Sequence, residues 1–172
     1  MIYVGQEYYN NEASYRVCAV SPCGNYFALA DMNTCRLPNM PKPKTFQVKA
    51  LHDFVMKNRL SERDYELPVE MSLSDKMLLS KGKGKWISKR DKKWQSIRQL
   101  ISPELISNYL FGNGIAKEIS VHLSSDGWTT KGAFYNALNR YIAMGMTKNA
   151  LLPVGLKNTG TKAPKYKTVA EI

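Results

Sequence analysis

The chain lacks any long apolar run. No stretch of its 172 residues approaches the roughly 20 apolar positions that a membrane span needs. Residues 1–5 carry neither the basic nor the apolar segment of a secretory signal, so the expected location is inside the cell. Cysteine is scarce: Cys18, Cys23 and Cys35 make an odd number, and with no export signal they point to reduced thiols. A zinc site would need His52 as its fourth ligand, and the resulting spacings match no common zinc motif. The only other histidine is His122. No nucleophile elbow, phosphate loop or metal-ligand spacing is found. Asp31, His52 and Asp53 are the one cluster worth testing for catalysis, and no enzyme activity, catalytic residue, metal or cofactor is expected on this chain.

Acids are scarce in the second half. Residues 1–70 hold 8 Lys/Arg against 8 Asp/Glu, whereas residues 71–172 hold 17 against 6, so the whole net charge of +11 falls there. Such asymmetry points to a polyanionic partner for one part of the chain. An anionic membrane surface would need an amphipathic basic helix with exposed large apolar residues, and none is visible, so no membrane is expected.

What is present divides the chain. Residues 1–67 read as a small β-rich domain. Strands are expected at 2–4, 14–20, 26–31 and 65–67, with the Ser21-Pro22-Cys23-Gly24-Asn25 turn between the middle two. Pro38, Pro41 and Pro43 then break regular structure. Val48, Leu51, Phe54 and Val55 at helical spacing predict a helix over 47–58. Residues 68–87 read as a basic linker, with a short helix over 72–80. Seven of residues 81–93 are Lys or Arg, and the glycines at 82 and 84 let lysines follow a phosphate track.

Residues 88–153 read as a helical domain. Ser88 and Asp91 give a helix start, and Trp94, Ile97 and Ile101 share its buried side. Ser102-Pro103-Glu104 starts a second helix, stopped by Gly112 and Gly114. Ile115, Ile119 and Leu123 mark a short third helix, and residues 124–127 a turn. Thr129 or Thr130 caps a fourth helix, which runs to about Met144 and stops at Gly145. The last two helices have the order of a helix-turn-helix unit, with a turn longer than usual. Phe134, Leu138 and Tyr141 form the core stripe of the last helix. The remaining face, with Thr130, Lys131, Tyr135, Asn136, Asn139 and Arg140, is expected to be exposed and to contact bases in a major groove. Backbone contacts are expected from Lys81, Lys83, Lys85, Lys89, Arg90 and Lys148. Residues 154–172 read as a basic extended arm, adding Lys157, Lys162, Lys165 and Lys167.

Several segments together carry a family resemblance. They are Trp94-x-x-Ile97 with the downstream helix pair, Tyr135-Asn136-Ala137-Leu138-Asn139-Arg140-Tyr141, and Gly145-x-x-x-Asn149-Ala150-Leu151-Leu152-Pro153, then Lys157-Asn158-Thr159-Gly160. This pattern resembles the N-terminal part of TnsB/TniA-type DDE transposases of heteromeric cut-and-paste transposons. Tyr15-Arg16-Val17 and the helix near 51–58 are alike too. The resemblance implies a module that recognises repeated double-stranded sites at transposon ends in the bacterial cytoplasm, beside other transposition proteins. It also implies a catalytic domain elsewhere in the full protein, RNase-H-like, whose three acids hold two divalent ions such as Mg2+. Residues 154–172 offer only Glu171 as an acid, so the chain reads as a fragment that ends before catalysis.

The expected fold is therefore α+β: a small β-rich domain with one helix, an all-α helix-turn-helix domain and a basic tail. A free-standing helix-turn-helix regulator is the competing reading. Neutral residues 1–67 would bind a partner protein or brace the helical domain.

Overall fold

The computed structural model describes residues 1–35, 38–126 and 130–153. Its first half is built from β1 (Gln6–Tyr9), β2 (Ser14–Val20), β3 (Tyr26–Asp31), β4 (Lys44–Gln47) and β5 (Ser61–Asp64), with helix α1 (Leu51–Lys57) before β5. The strands form one antiparallel sheet in the order β4-β3-β2-β1-β5. The strands expected at 14–20 and 26–31 are β2 and β3. The first strand is not at 2–4 but at Gln6–Tyr9, where Glu7 is buried beneath Arg63 of β5 and the Ser14 hydroxyl. The last lies at Ser61–Asp64 rather than 65–67.

The two faces of the sheet pack differently. Tyr8, Val17, Phe27 and Leu29 are buried with Leu51, Phe54 and Val55 of α1, and the Phe46 and Phe54 rings lie 5.4 Å apart. The other face offers the small residues Cys18, Ala19, Ala28 and Ala30, which let helices approach closely and share one core with them. A register shift between Val17 and Ala19 arranges this. It inserts Cys18 as an extra residue, so Val17 serves one core while Cys18 and Ala19 serve the other.

The second half contains α2 (Asp75–Ser80), α3 (Gly84–Ile97), α4 (Pro103–Phe111), α5 (Ala116–Asp126) and α6 (Lys131–Ala143), then a 3-10 turn at Lys148–Leu151. Ser74, Ser102 and Thr130 cap α2, α4 and α6, each accepting a main-chain N–H of the first turn. Pro103 sits at the start of α4, where its missing N–H costs no helical bond. Helix α6 ends at Gly145, whose φ of +95° suits a residue without Cβ; a Cβ there would also meet the Leu67 side chain at 2.8 Å.

The structure corrects one helix start. α3 begins at Gly84, not Ser88, and the Ser88 hydroxyl donates back to the Gly84 carbonyl at 3.3 Å. Residues 68–87 are also built into the fold rather than strung between its parts. Asn149 donates to the carbonyls of Glu70 and Leu73 at 2.9 and 2.8 Å, and Arg90 pairs with Asp75 of α2. The chain is thus a mixed α/β structure, sheet first and helices after.

Candidate nucleic-acid interface

Helix α3 presents a cationic stripe. Lys85, Lys89 and Lys92 recur at helical spacing and are exposed, with Ser88 and Gln95 beside them. No carboxylate pairs with these lysines among the described residues. The opposite side of α3 is fixed to the core: Ile97 is buried, and the Trp94 ring lies 5.8 Å from that of Tyr141. Lys93 faces inward, half-buried. Burial, then the charges of Arg140 and Lys89, hold its ammonium below the ordinary lysine range.

Helix α6 does the reverse. Its first turn is open: Thr130, Lys131, Gly132 and Ala133 are exposed. The face expected to continue this surface is turned inward. Asn139 and Arg140 are each only 6% exposed, and Tyr135 and Asn136 are half-buried. Their polar groups are engaged by the proline-rich loop. Asn136 accepts the Met40 N–H at 2.6 Å and donates to the Pro38 carbonyl at 2.7 Å. Asn139 donates to the Met40 carbonyl at 3.0 Å and accepts the Tyr109 hydroxyl at 2.6 Å. Arg140 donates to the Cys35 carbonyl at 2.6 Å. Tyr135 lies between the rings of Tyr109 and Phe134. The physical reason is plain: a loop broken by prolines has main-chain groups that no ladder satisfies, and amides and a guanidinium satisfy them. Arg16 of β2 adds a further tie, donating to the Ala143 carbonyl at the end of α6 at 3.0 Å.

The expected backbone contacts divide in the same way. Lys81, Lys85 and Lys89 are exposed. Lys83 is half-buried, its ammonium 3.7 Å from the centre of the Trp86 ring. Arg90 is a correction: it is 1% exposed, and its guanidinium grips both Asp75 oxygens, Asp91 and Asn149. A hydrogen bond from Arg90 holds the Asp75 carboxyl below its ordinary range. For Asp91, burial works upward, but hydrogen bonds from Lys148 and Arg90 prevail and hold it low. Lys148, also expected on the backbone, is paired with Asp91 at 3.0 Å. Lys157, Lys162, Lys165 and Lys167 lie outside the described residues. Lys92 was not among the expected residues, although its spacing from Lys85 and Lys89 places it on the same exposed stripe.

Residues 90–154 match the family model described as the TnsB second domain. This part of the chain is similar to a TnsB second domain. The match bears out the resemblance to the N-terminal region of TnsB-type transposases. It takes in α4, α5, α6 and α3 from Arg90 onward, so the open first turn of α6 and Lys92 lie within the matched segment, and Lys85 and Lys89 precede it on the same helix. No curated protein matches the chain.

The remaining candidates form no centre. No group of three His, Cys, Asp or Glu able to hold a metal occurs among the described residues. None of the three cysteines is in a disulfide. His52 and Asp53 are exposed on α1, while Asp31 accepts the Asn33 N–H. His122 is buried, its ring set against the Ser96 carbonyl and the Phe134 ring. No described helix is long and apolar enough to cross a membrane.

Proposed function

We propose that this chain recognises double-stranded DNA at transposon ends, as the N-terminal module of a TnsB-type transposase whose DDE catalytic domain is not on these residues. The observation that carries the reading is the TnsB second-domain match over residues 90–154, which takes in Lys92 and adjoins Lys85 and Lys89 of the same stripe, lysines with no acidic partner among the described residues. α5 and α6 act as the helix-turn-helix pair. Only the first turn of α6 enters a groove: Thr130 and Lys131 meet the DNA, and Gly132 and Ala133 leave the turn bare enough for close approach. The positive end of the helix favours phosphate at the same place. The lysines of α3, with Lys81, lie along the phosphate backbone and set affinity rather than sequence choice.

The test is binding of the chain to transposon-end duplex and to random duplex over a salt series. Preference for the end sequence with a steep salt slope is expected, because each lysine on a phosphate releases counterions. Equal affinity for both duplexes would remove the reading.

A further inference from the structure

The amide clamp on α6 has an outer side. Asn136 holds the main-chain carbonyl of Pro38 and the N–H of Met40, the two residues that flank Asn39. Met40 and Pro43 are buried beneath the loop, and Asn139 takes the Met40 carbonyl as well. Asn39 itself is exposed and makes no hydrogen bond among the described residues. The loop is thus fastened on both sides of one outward carboxamide.

Its position is set by helical geometry. Asn136 is three and four residues beyond Ala133 and Gly132, so the three share one stripe of α6. The loop is tied to the Asn136 end of that stripe, one helical turn from the exposed Gly132 and Ala133. Beyond Asn39 come Lys42 and Lys44, both exposed, with Lys42 braced 4.4 Å over the Tyr109 ring of α4. Residues 38–49 carry three lysines and no acid, whereas β5 and its exit, on the other edge of the sheet, carry Glu62, Asp64 and Glu66 against the single cation Arg63. The balanced charge of the first half therefore conceals two unlike edges; the cationic one packs by Lys42 on α4, and the loop that leads into it is tied to α6.

We propose that the 38–44 loop is a second DNA-contact element of the same interface. Asn39 meets a base edge in the groove entered by the first turn of α6, and Lys42 and Lys44 hold the flanking phosphates. A carboxamide matches the acceptor and donor of adenine in the major groove, so an A·T pair is the expected target. Asn136 is a positioning residue that acts through the loop. The inference rests on the duplex-binding reading above.

The experiment measures affinity for end duplex and for duplexes changed one base pair at a time, using the wild-type chain and the variants N39A, N136A, N39A/N136A, K42A/K44A and K85A/K89A/K92A. Thermal melts check the fold; N39A and K42A/K44A alter exposed side chains and should melt as wild type. N39A is expected to lose about tenfold of discrimination at a single base pair and little elsewhere. N136A should lose discrimination at the same pair, and the double variant no more than either alone, since both act through one contact. K42A/K44A should weaken all duplexes alike and flatten the salt slope. The inference fails if N39A and K42A/K44A bind every duplex as wild type does while K85A/K89A/K92A binds more weakly; the duplex-binding reading then survives. If the wild-type chain shows no preference for end duplex, both fall together.

Discussion

Helices α3 and α6 each carry cations and amides on a face nearly free of acids, yet one turns that face to solvent and the other to the protein. On α3 Lys85, Lys89 and Lys92 have long stems, no acidic partner among the described residues and open surroundings. On α6 the amides and Arg140 reach main-chain groups of a loop that no strand can pair. The side chains that read base edges are those that satisfy stranded peptide groups. Chemistry of a face alone therefore does not say which of the two it meets; the neighbour decides.

The sharpest break of this comparison concerns stability. Phe134, fully buried on α6, should cost about 3–5 kcal/mol when cut to alanine, by lost burial and the cavity left. Urea unfolding measures this, and a cost under half of that range would show that α6 is not the centre of the core. Asn139→Ala comes next. It strands the Tyr109 hydroxyl and the Met40 carbonyl, so a loss of about 2–4 kcal/mol is expected from two buried groups. Lys89→Ala, in contrast, should leave the unfolding midpoint within about 0.5 kcal/mol of wild type. If Asn139→Ala melted normally and only relaxed sequence choice, the inward face would have to be exposed in solution.

Binding gives the converse. The triple change of Lys85, Lys89 and Lys92 to alanine should leave the fold intact and lower the salt slope by roughly 0.9 for each lysine that sits on a phosphate. An unchanged slope in a filter or fluorescence titration would take α3 out of the interface.

The smallest effect is acidic. Asp75 and Asp91 titrate below their ordinary range in the folded chain because Arg90 and Lys148 favour the ionised forms. Their stabilisation is therefore complete above the ordinary carboxylate value of about 4 and fades as pH falls through the lower folded values. Asp75 is largely and Asp91 partly open to solvent, so the change should stay under about 1 kcal/mol. Asp75→Asn should flatten stability against pH below that range; a variant with the wild-type profile would show that this pair contributes nothing.

Much of the architecture was legible because it depends on local pattern. Strands β2 and β3 announce themselves by β-branched and aromatic residues around a Pro-Gly turn, and α4 and α6 by serine and threonine caps. Helix α3 was legible except at its start, since Lys83 caps it without a side-chain bond. β1 was hidden because Gln6 and Glu7 are polar; their burial depends on partners 56 residues away, Glu62 and Arg63. The burial of Asn136, Asn139 and Arg140 was hidden for the same reason, as their partners lie about a hundred residues earlier. Lys85 and Lys89 were legible in the charge run, and Lys92 was overlooked although it continues their helical spacing.

The family match begins at residue 90, inside α3, and so starts part-way along a rod. A piece cut at that point would lose the Asp75 that Arg90 grips and the carbonyls of Glu70 and Leu73 that Asn149 caps. It would also lose the small-residue sheet face that shares the core of α6. Grafting this helical part into another chain thus requires the sheet and the proline-rich loop to travel with it. The length over which kinship is visible is shorter than the length that must be inherited together.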